Sequence, residues 1–322
     1  MNDLNYKVTD YNTPFIQRRA DPYVYKHTDG EYYFTASVPE YDRIVIRKSS
    51  TLEALKDAEE KTIWKNHSAG IMSMHIWAPE IHYIAGRWYI YFAAGDKDDV
   101  WAIRPYVLQC TGNNPVEDEW AESGPLKGAD PYSFQDFSLD MTVFQYEQKW
   151  YCVWAEKVSV GKKISNLYIA EMESPIQLKS QQVRLASPDY DWERVDFWVN
   201  EGPAVLVHDD MLYLTYSASA TGECYCMGML SIPAGADILD PRAWRKERHP
   251  VLVTDREKGL YGPGHNTFTK SKDGTEDIMI YHARQYDEIT GDPLYDYNRH
   301  AYRMKVEWNQ NGKPIFDFAN NF

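Results

Sequence analysis

A hairpin-forming phrase occurs five times in this chain, and its spacing restricts the fold more than any other feature. The first copy runs Ala20-Asp21-Pro22-Tyr23-Val24-Tyr25, then Asp29-Gly30-Glu31-Tyr32-Tyr33-Phe34-Thr35-Ala36-Ser37. Aromatic and β-branched runs on either side of Asp-Gly read as two strands and a tight turn, so the phrase is a β-hairpin with a carboxylate at its entrance. Ala78-Pro79-Glu80-Ile81 leads likewise to Arg87-Trp88-Tyr89-Ile90-Tyr91, and Asp140-Met141-Thr142-Val143-Phe144 to Lys149-Trp150-Tyr151-Cys152-Val153. Glu201-Gly202-Pro203-Ala204-Val205-Leu206 leads to Leu212-Tyr213-Leu214-Thr215-Tyr216, and Gly264-His265-Asn266-Thr267-Phe268 to Ile278-Met279-Ile280-Tyr281. Equivalent positions fall near 21, 78, 140, 202 and 264, in steps of 57, 62, 62 and 62, and fill the chain.

A repeat of this length carrying only strand signals is too long for a helical solenoid and matches one four-stranded propeller blade with its loops. The expectation is an all-β fold: a five-bladed β-propeller forming a single domain over residues 1–322. Third-strand patterns support it, at Arg43-Ile44-Val45-Ile46-Arg47, at Tyr106 to Thr111 and at Asn166 to Glu171, each followed by turn chemistry. A ring brings the start of every blade's first strand to one mouth. Asp21, Ala78, Asp140, Glu201 and His265 should therefore converge, although an acidic residue before a strand is more often plain turn chemistry. Four inter-blade loops, at 67–76, 96–104, 128–137 and 190–198, are polar and carry aromatics, and loops on a rigid scaffold are where ligand contacts gather.

The formal net charge of −14 argues against a sequence-independent grip on nucleic acid, which requires a basic surface. No run approaches the roughly 18 apolar residues of a membrane helix. Aromatic residues make up 15% of the chain, with 25 Tyr and 11 Trp, which suits sugar stacking as well as ordinary blade packing. The start, Met1-Asn2-Asp3-Leu4-Asn5-Tyr6-Lys7, has neither a basic end nor an apolar core and does not read as a secretory signal, so the expected compartment is the cytoplasm. Cys110, Cys152, Cys224 and Cys226 show no zinc or redox spacing and read as reduced structural thiols, the last two on one strand face.

Three carboxylates at one mouth suggest glycosidic bond cleavage, which needs one protonated acid and one ionised base. A third carboxylate near the acid raises that acid's pKa by repulsion and so holds the two states apart.

Arg19-Ala20-Asp21-Pro22, Ser138-Leu139-Asp140, Asn200-Glu201-Gly202-Pro203 and His75-Ile76-Trp77-Ala78-Pro79-Glu80 together resemble the family 43 glycoside hydrolases, over essentially the whole chain. The resemblance implies a five-bladed propeller that inverts the anomeric centre of arabinose or xylose. It implies Asp21 as general base, Asp140 as the carboxylate that orients the acid and raises its pKa, and Glu201 as general acid. It further implies Trp77 in the substrate pocket, Arg284 of Tyr281-His282-Ala283-Arg284 reaching the bound sugar, and His265 of Gly262-Pro263-Gly264-His265 in the central channel beside a metal ion or water cluster. No cofactor is required on this reading, with a structural ion such as calcium near His265. Met141 departs from the proline or glycine that many members carry after the third-blade aspartate.

Within the family the motifs look most similar to the exo-acting α-L-arabinofuranosidases, and the chain's end at Phe322 leaves no room for the β-sandwich of many β-xylosidases. The expected substrate is an arabinose- or xylose-containing oligosaccharide, with neither nucleic acid nor membrane as partner. A β-xylosidase or endo-arabinanase on the same fold remains the alternative. So does a non-catalytic sugar-binding propeller, although binders of that kind usually lose a catalytic carboxylate. An invertase-like enzyme would need a Glu-Cys-Pro segment, which Glu223-Cys224-Tyr225 does not supply.

Overall fold

The computed structural model describes residues 11–322 apart from Gly161. The first seven residues, on which the cytoplasmic expectation rested, lie outside the described residues. The fold is all-β with almost no helix, since the only helical segments among the described residues are four short 3-10 turns such as Glu53–Lys56 and Pro293–Tyr295. No helix among them is long and apolar enough to cross a membrane.

The strands form five antiparallel meanders in chain order. The first is Ala20–Lys26, Tyr32–Ser37, Arg43–Ser49 and Glu60–Lys65; the second is Met74–Ile84, Arg87–Gly95, Arg104–Cys110 and Trp120–Pro125. The third, Ser138–Tyr146, Lys149–Val160 and Lys162–Ser174, is edged by Val183–Ala186. The fourth is Trp198–His208, Met211–Ala218, Cys226–Pro233 and Arg245–Lys246, and the fifth is Tyr261–Lys270, Asp277–Arg284 and His300–Lys305. A short parallel pairing of Ile164 with Trp198 and Ser165 with Val199 joins the third to the fourth. Cys226 begins a strand, but Cys224 precedes it, so the expected shared strand face is not formed; all four cysteines are free.

Each meander's opening strand lies against the opening strand of the next, and the fifth lies against the first. The apolar residues follow the same cycle. One buried cluster packs the first meander on the second through Ile44, Ile46, Ile81 and Ile90, and another the second on the third through Tyr91, Val107, Val143 and Trp154. The third meets the fourth through Val153, Ile169, Leu214 and Tyr216, and the fourth meets the fifth through Leu206, Met229, Met279 and Tyr281. Val24, Phe34, Ile278 and Ile280 close the circuit between fifth and first. Each such side chain contributes on the order of 1.5–3 kcal/mol when fully buried, so each meander's core is completed by its neighbours. The segment before the first strand adds to the closure, with Phe15 and Ile16 donating to the Ala301 carbonyl at 2.8 and 3.2 Å.

All five opening strands are bulged near their starts, where the pairing register slips: at Ala20/Tyr23, Trp77/Glu80, opposite Val153/Ala155, at Glu201/Ala204 and at Gly264/Thr267. At each bulge one residue adopts a left-handed backbone: Asp21 (φ 52), Ala78 (φ 46), Asp140 (φ 56), Gly202 (φ 55) and His265 (φ 44). Bulges re-aim side chains, and a non-glycine residue in this region costs about 1–3 kcal/mol that surrounding structure must offset. These five left-handed residues occupy equivalent places around the ring.

Candidate active site

The bulges carry functional side chains in two ways. In the first, third and fifth meanders the left-handed residue itself bears the group, as Asp21, Asp140 and His265. In the second and fourth it is Ala78 or Gly202, and the preceding residue, Trp77 or Glu201, carries the group. All five of Asp21, Trp77, Asp140, Glu201 and His265 line one cavity of about 480 Å³. The sequence expectation of convergence is met for these side chains, while Ala78 contributes only backbone.

Asp21 is held as an anion. Ser37 Oγ donates to its Oδ2 at 2.6 Å, and His265 Nδ1 and Arg299 Nη1 stand 3.3 and 3.5 Å from Oδ1. Burial alone would raise its pKa, but the His265 and Arg299 charges outweigh burial and hold the carboxyl well below the usual range. The same Ser37 hydroxyl accepts from the Ala78 N–H at 2.8 Å, tying the first bulge to the second. His282 Nδ1 accepts the Asp21 backbone N–H at 3.1 Å, and burial pushes this imidazole down to about 3, so it stays neutral.

Asp140 and Glu201 are shifted the other way. Burial raises both; for Asp140 the Glu201 and Asp21 charges add to the rise, while His265 and the Gly202 N–H, donating to Oδ2 at 2.9 Å, oppose it. For Glu201, His265, the Tyr225 hydroxyl at 2.9 Å and Lys157 oppose the rise. The Glu201 charge is among the causes that raise Asp140, so the two titrations are linked, and both carboxyls keep a proton to higher pH than free ones. Burial disfavours charge on His265, but Asp140, Asp21 and Glu201 together raise its pKa and favour the charged form. Its Nδ1 lies 3.8 Å from Asp140 Oδ2.

The described residues around His265 do not assemble a metal-binding set. Calcium takes about six to eight oxygen ligands, and no group of three or more His, Cys, Asp or Glu among the described residues is placed to hold an ion.

Arg284 is likewise corrected. It is buried, and its guanidinium donates to Asp296 Oδ1, the Thr221 carbonyl and the Pro293 carbonyl at 3.2, 2.7 and 2.7 Å. It braces the loop before His300 and does not line the cavity. Arg299, 15 residues on, does, with Nη2 donating to Tyr41 Oη at 2.6 Å.

One wall of the cavity is aromatic. Trp77 stacks on His75 with ring centres 4.5 Å apart, His75 lies 4.9 Å from Trp101, and Trp101 stacks on Phe137 at 6.5 Å. Of the four loops expected to meet ligand, those at 96–104, 128–137 and 190–198 reach the cavity through Trp101, Phe137 and Phe197. Two buried carboxylates hold these loops in place. Glu156 accepts the backbone N–H groups of Phe134, Gln135 and Asp136, and Glu193 accepts those of Asp189 and Tyr190 together with Asn200 Nδ2 and Lys246 Nζ. Neither stands out in the sequence, because a loop anchor has no periodic position.

The described cavity thus holds an ionised carboxylate, a proton-retaining carboxyl pair and a stacking wall at the hub of five bulged strands, and a model of the glycosyl hydrolases family 43 matches residues 11–314. The chain belongs to that family. Within family 43, it is 49% identical over 306 residues to an extracellular exo-α-(1→5)-L-arabinofuranosidase of Streptomyces avermitilis, covering 95% of this chain and 63% of that protein. It is 47% identical over 283 residues to a protein of the same description from Streptomyces chartreusis, covering 88% of this chain and 85% of the other. The crystal structure of an α-L-arabinofuranosidase from Lactobacillus brevis superposes with a TM-score of 0.90 at 48% identity, over 96% of each chain. The chain therefore spans under two thirds of the length of the first of these family 43 relatives. The expectation of cytoplasmic residence is overturned by the Streptomyces proteins, both described as extracellular.

Proposed function

We propose that this chain is an inverting, exo-acting α-L-arabinofuranosidase that removes terminal α-L-arabinofuranosyl residues from arabino-oligosaccharides or arabinan, and that its five meanders are the blades of a single-domain five-bladed β-propeller. The cyclic contact of the opening strands supports the propeller. The observation that carries the chemistry is the opposite displacement of the Asp21 carboxyl from the Asp140 and Glu201 pair.

In this reading Asp21, ionised and held by Ser37, His265 and Arg299, is the general base that takes a proton from water. Glu201 is the general acid. We assign it the proton on the family resemblance of Asn200-Glu201-Gly202-Pro203; the Gly202 N–H, donating to Asp140 Oδ2, favours charge on Asp140. Asp140 then modulates the acid by repulsion and, through the Gly202 N–H, fixes the bulge beside Glu201. Tyr225, donating to Glu201 Oε1, sets the carboxyl's orientation. His265 serves as a fixed cation. Trp77 offers the sugar a flat face, and Arg299 takes the place beside the sugar first given to Arg284.

Substrate preference follows the relatives, all named for arabinofuranose. The deciding experiment follows release from 4-nitrophenyl α-L-arabinofuranoside and the matching β-xyloside, with proton NMR of the first product. Arabinose appearing first as the inverted anomer is the expected result. A retained anomer overturns the base assignment, since an inverting pair stands roughly 6.5–9.5 Å apart to admit water and a retaining pair roughly 5 Å. Faster xyloside hydrolysis favours the β-xylosidase alternative. Oligomers released from linear arabinan favour the endo-arabinanase, and binding without turnover the sugar-binding propeller.

A further inference from the structure

A general acid must reach the oxygen it protonates, so the leaving group lies on the Glu201 side of the cavity, where the third and fourth meanders meet. The floor is continuous there. The pairing of Ile164 with Trp198 and Ser165 with Val199 is the only strand ladder between meanders among the described residues. Lys157 pairs with Ser165 across the hairpin of Lys149–Val160 and Lys162–Ser174, so Lys157, Ser165 and Val199 stand in one row on three adjacent strands. Neighbouring strands lie roughly 4.7–4.9 Å apart, which puts the backbones of Lys157 and Val199 about 10 Å from each other. Lys157, Val199 and, two residues earlier, Phe197 all line the cavity.

Both flanking side chains are presented from a fixed backbone. Phe197 is 62% exposed, although a phenyl ring is among the more costly side chains to leave in water. The turn that presents it is braced. Asp196 is left-handed (φ 62), the Phe197 N–H donates to the Val195 carbonyl at 2.7 Å, and Val195 is tied to the following segment, donating to Ser219 Oγ at 3.0 Å and accepting the Ala220 N–H at 3.1 Å. An exposed ring that lines a cavity, held out by a strained and anchored turn, is the mark of a surface kept for a ligand. Across the row, the Lys157 N–H donates to the Phe137 carbonyl at 2.9 Å, and Nζ sits 3.7 Å from the centre of the Phe137 ring. This cation–π contact holds the ammonium beside the cavity, and ammonium donors suit a sugar hydroxyl.

We propose that Phe197 and Lys157 form the seat for the sugar on the leaving side of the scissile bond, with Phe197 against its C–H face and Lys157 donating to one of its hydroxyls. This rests on the arabinofuranosidase reading and adds to it a demand on the leaving group, that it be a sugar ring rather than a small alcohol. An arabinofuranose ring offers both features, an apolar face of C–H groups and hydroxyls at its edge, whereas a methyl group offers neither.

The test compares α-(1→5)-linked arabinobiose with methyl α-L-arabinofuranoside, using 4-nitrophenyl α-L-arabinofuranoside as a control for activity. The first two share the reacting sugar and an alkoxide leaving group of similar basicity, so both depend alike on the general acid. Their ratio of kcat/KM then reports the contacts of the leaving ring. Removing the Lys157 charge also changes the field at Glu201, but both substrates feel that change and the ratio cancels it. The unaltered protein should prefer the disaccharide by more than about 100-fold. Phe197→Ala and Lys157→Met should each lower that ratio by at least about fivefold, and Lys157→Arg, which keeps a charged donor, should recover most of it. In Phe197→Ala the loss should fall on KM for the disaccharide, because the contact exists before and during bond cleavage. A merely structural role would slow both substrates alike. An unchanged ratio in either Phe197→Ala or Lys157→Met overturns the proposal, as does an unaltered protein with no preference for the disaccharide; in both cases the arabinofuranosidase reading stands. An unaltered protein inert on all three substrates overturns that reading and the seat with it. If Lys157→Met does not fold, an unchanged ratio in Phe197→Ala is the overturning result.

Discussion

At the scale of single residues, the roles of the two coupled carboxyls separate by leaving group and by pH. A general acid matters most where the departing oxygen is strongly basic and little for a nitrophenolate. Glu201→Ala should therefore lose at least about 100-fold in kcat/KM on an arabino-oligosaccharide and far less on the 4-nitrophenyl substrate. Asp140→Asn removes a negative charge from beside Glu201, so the acid's pKa falls and the alkaline limb of the pH profile moves to lower pH. A limb that stays in place shows that Asp140 does not act on the acid's proton. Asp21, Asp140, Glu201 and His265 were legible in the sequence because each sits at the start of a repeat, where position alone implies convergence; Trp77 came from the family resemblance. Arg299, Tyr225 and Lys157 were not, since they come from outside the opening strands. Arg284 misled for a related reason: both it and Arg299 flank an irregular segment, and nothing periodic tells which one turns inward.

At the scale of the element, the bulged strand start was visible only in outline. Counting placed the last repeat at 264, whereas its left-handed residue is His265. Gly264 before it is packed closely, since a side chain there would meet the Tyr225 ring at 2.4 Å. Hairpin position follows from strand and turn chemistry, but a bulge is a choice of backbone dihedral that strand propensity does not report. Gly202→Ala tests how far this geometry serves the site. A Cβ there would stand 3.2 Å from His265 Cγ, on a backbone with φ near +55 that side chains seldom adopt. We expect a loss of about 1–2 kcal/mol in stability by thermal denaturation. A fall in kcat on the aryl glycoside should accompany it, because the Gly202 N–H and His265 both act on Asp140. A stable variant with unaltered kcat would show that the bulge is incidental to catalysis.

At the scale of the whole molecule, five apolar interfaces in a closed cycle mean that removing any meander exposes two of them. Unfolding should therefore be cooperative, with tryptophan fluorescence and far-ultraviolet circular dichroism giving coincident denaturant transitions. Separate midpoints would show that the meanders do not fold as one domain.

The same ring keeps its carboxylates where water scarcely reaches them. The Asp140 and Glu201 pair keeps a proton in the folded state where the unfolded chain has lost it, so the folded state binds more protons across that interval. Stability falls as pH rises through it, and the penalty is complete once both carboxyls are charged. Asp140→Asn removes one of the two repelling charges and so reduces the penalty, while its amide oxygen can still accept the Gly202 N–H. The variant should melt higher than the unaltered protein at pH 8, with the advantage shrinking toward pH 4. On the proposed reading, the charge that tunes the acid is thus also a load on the fold, so chemistry and durability draw on one carboxylate in opposite directions.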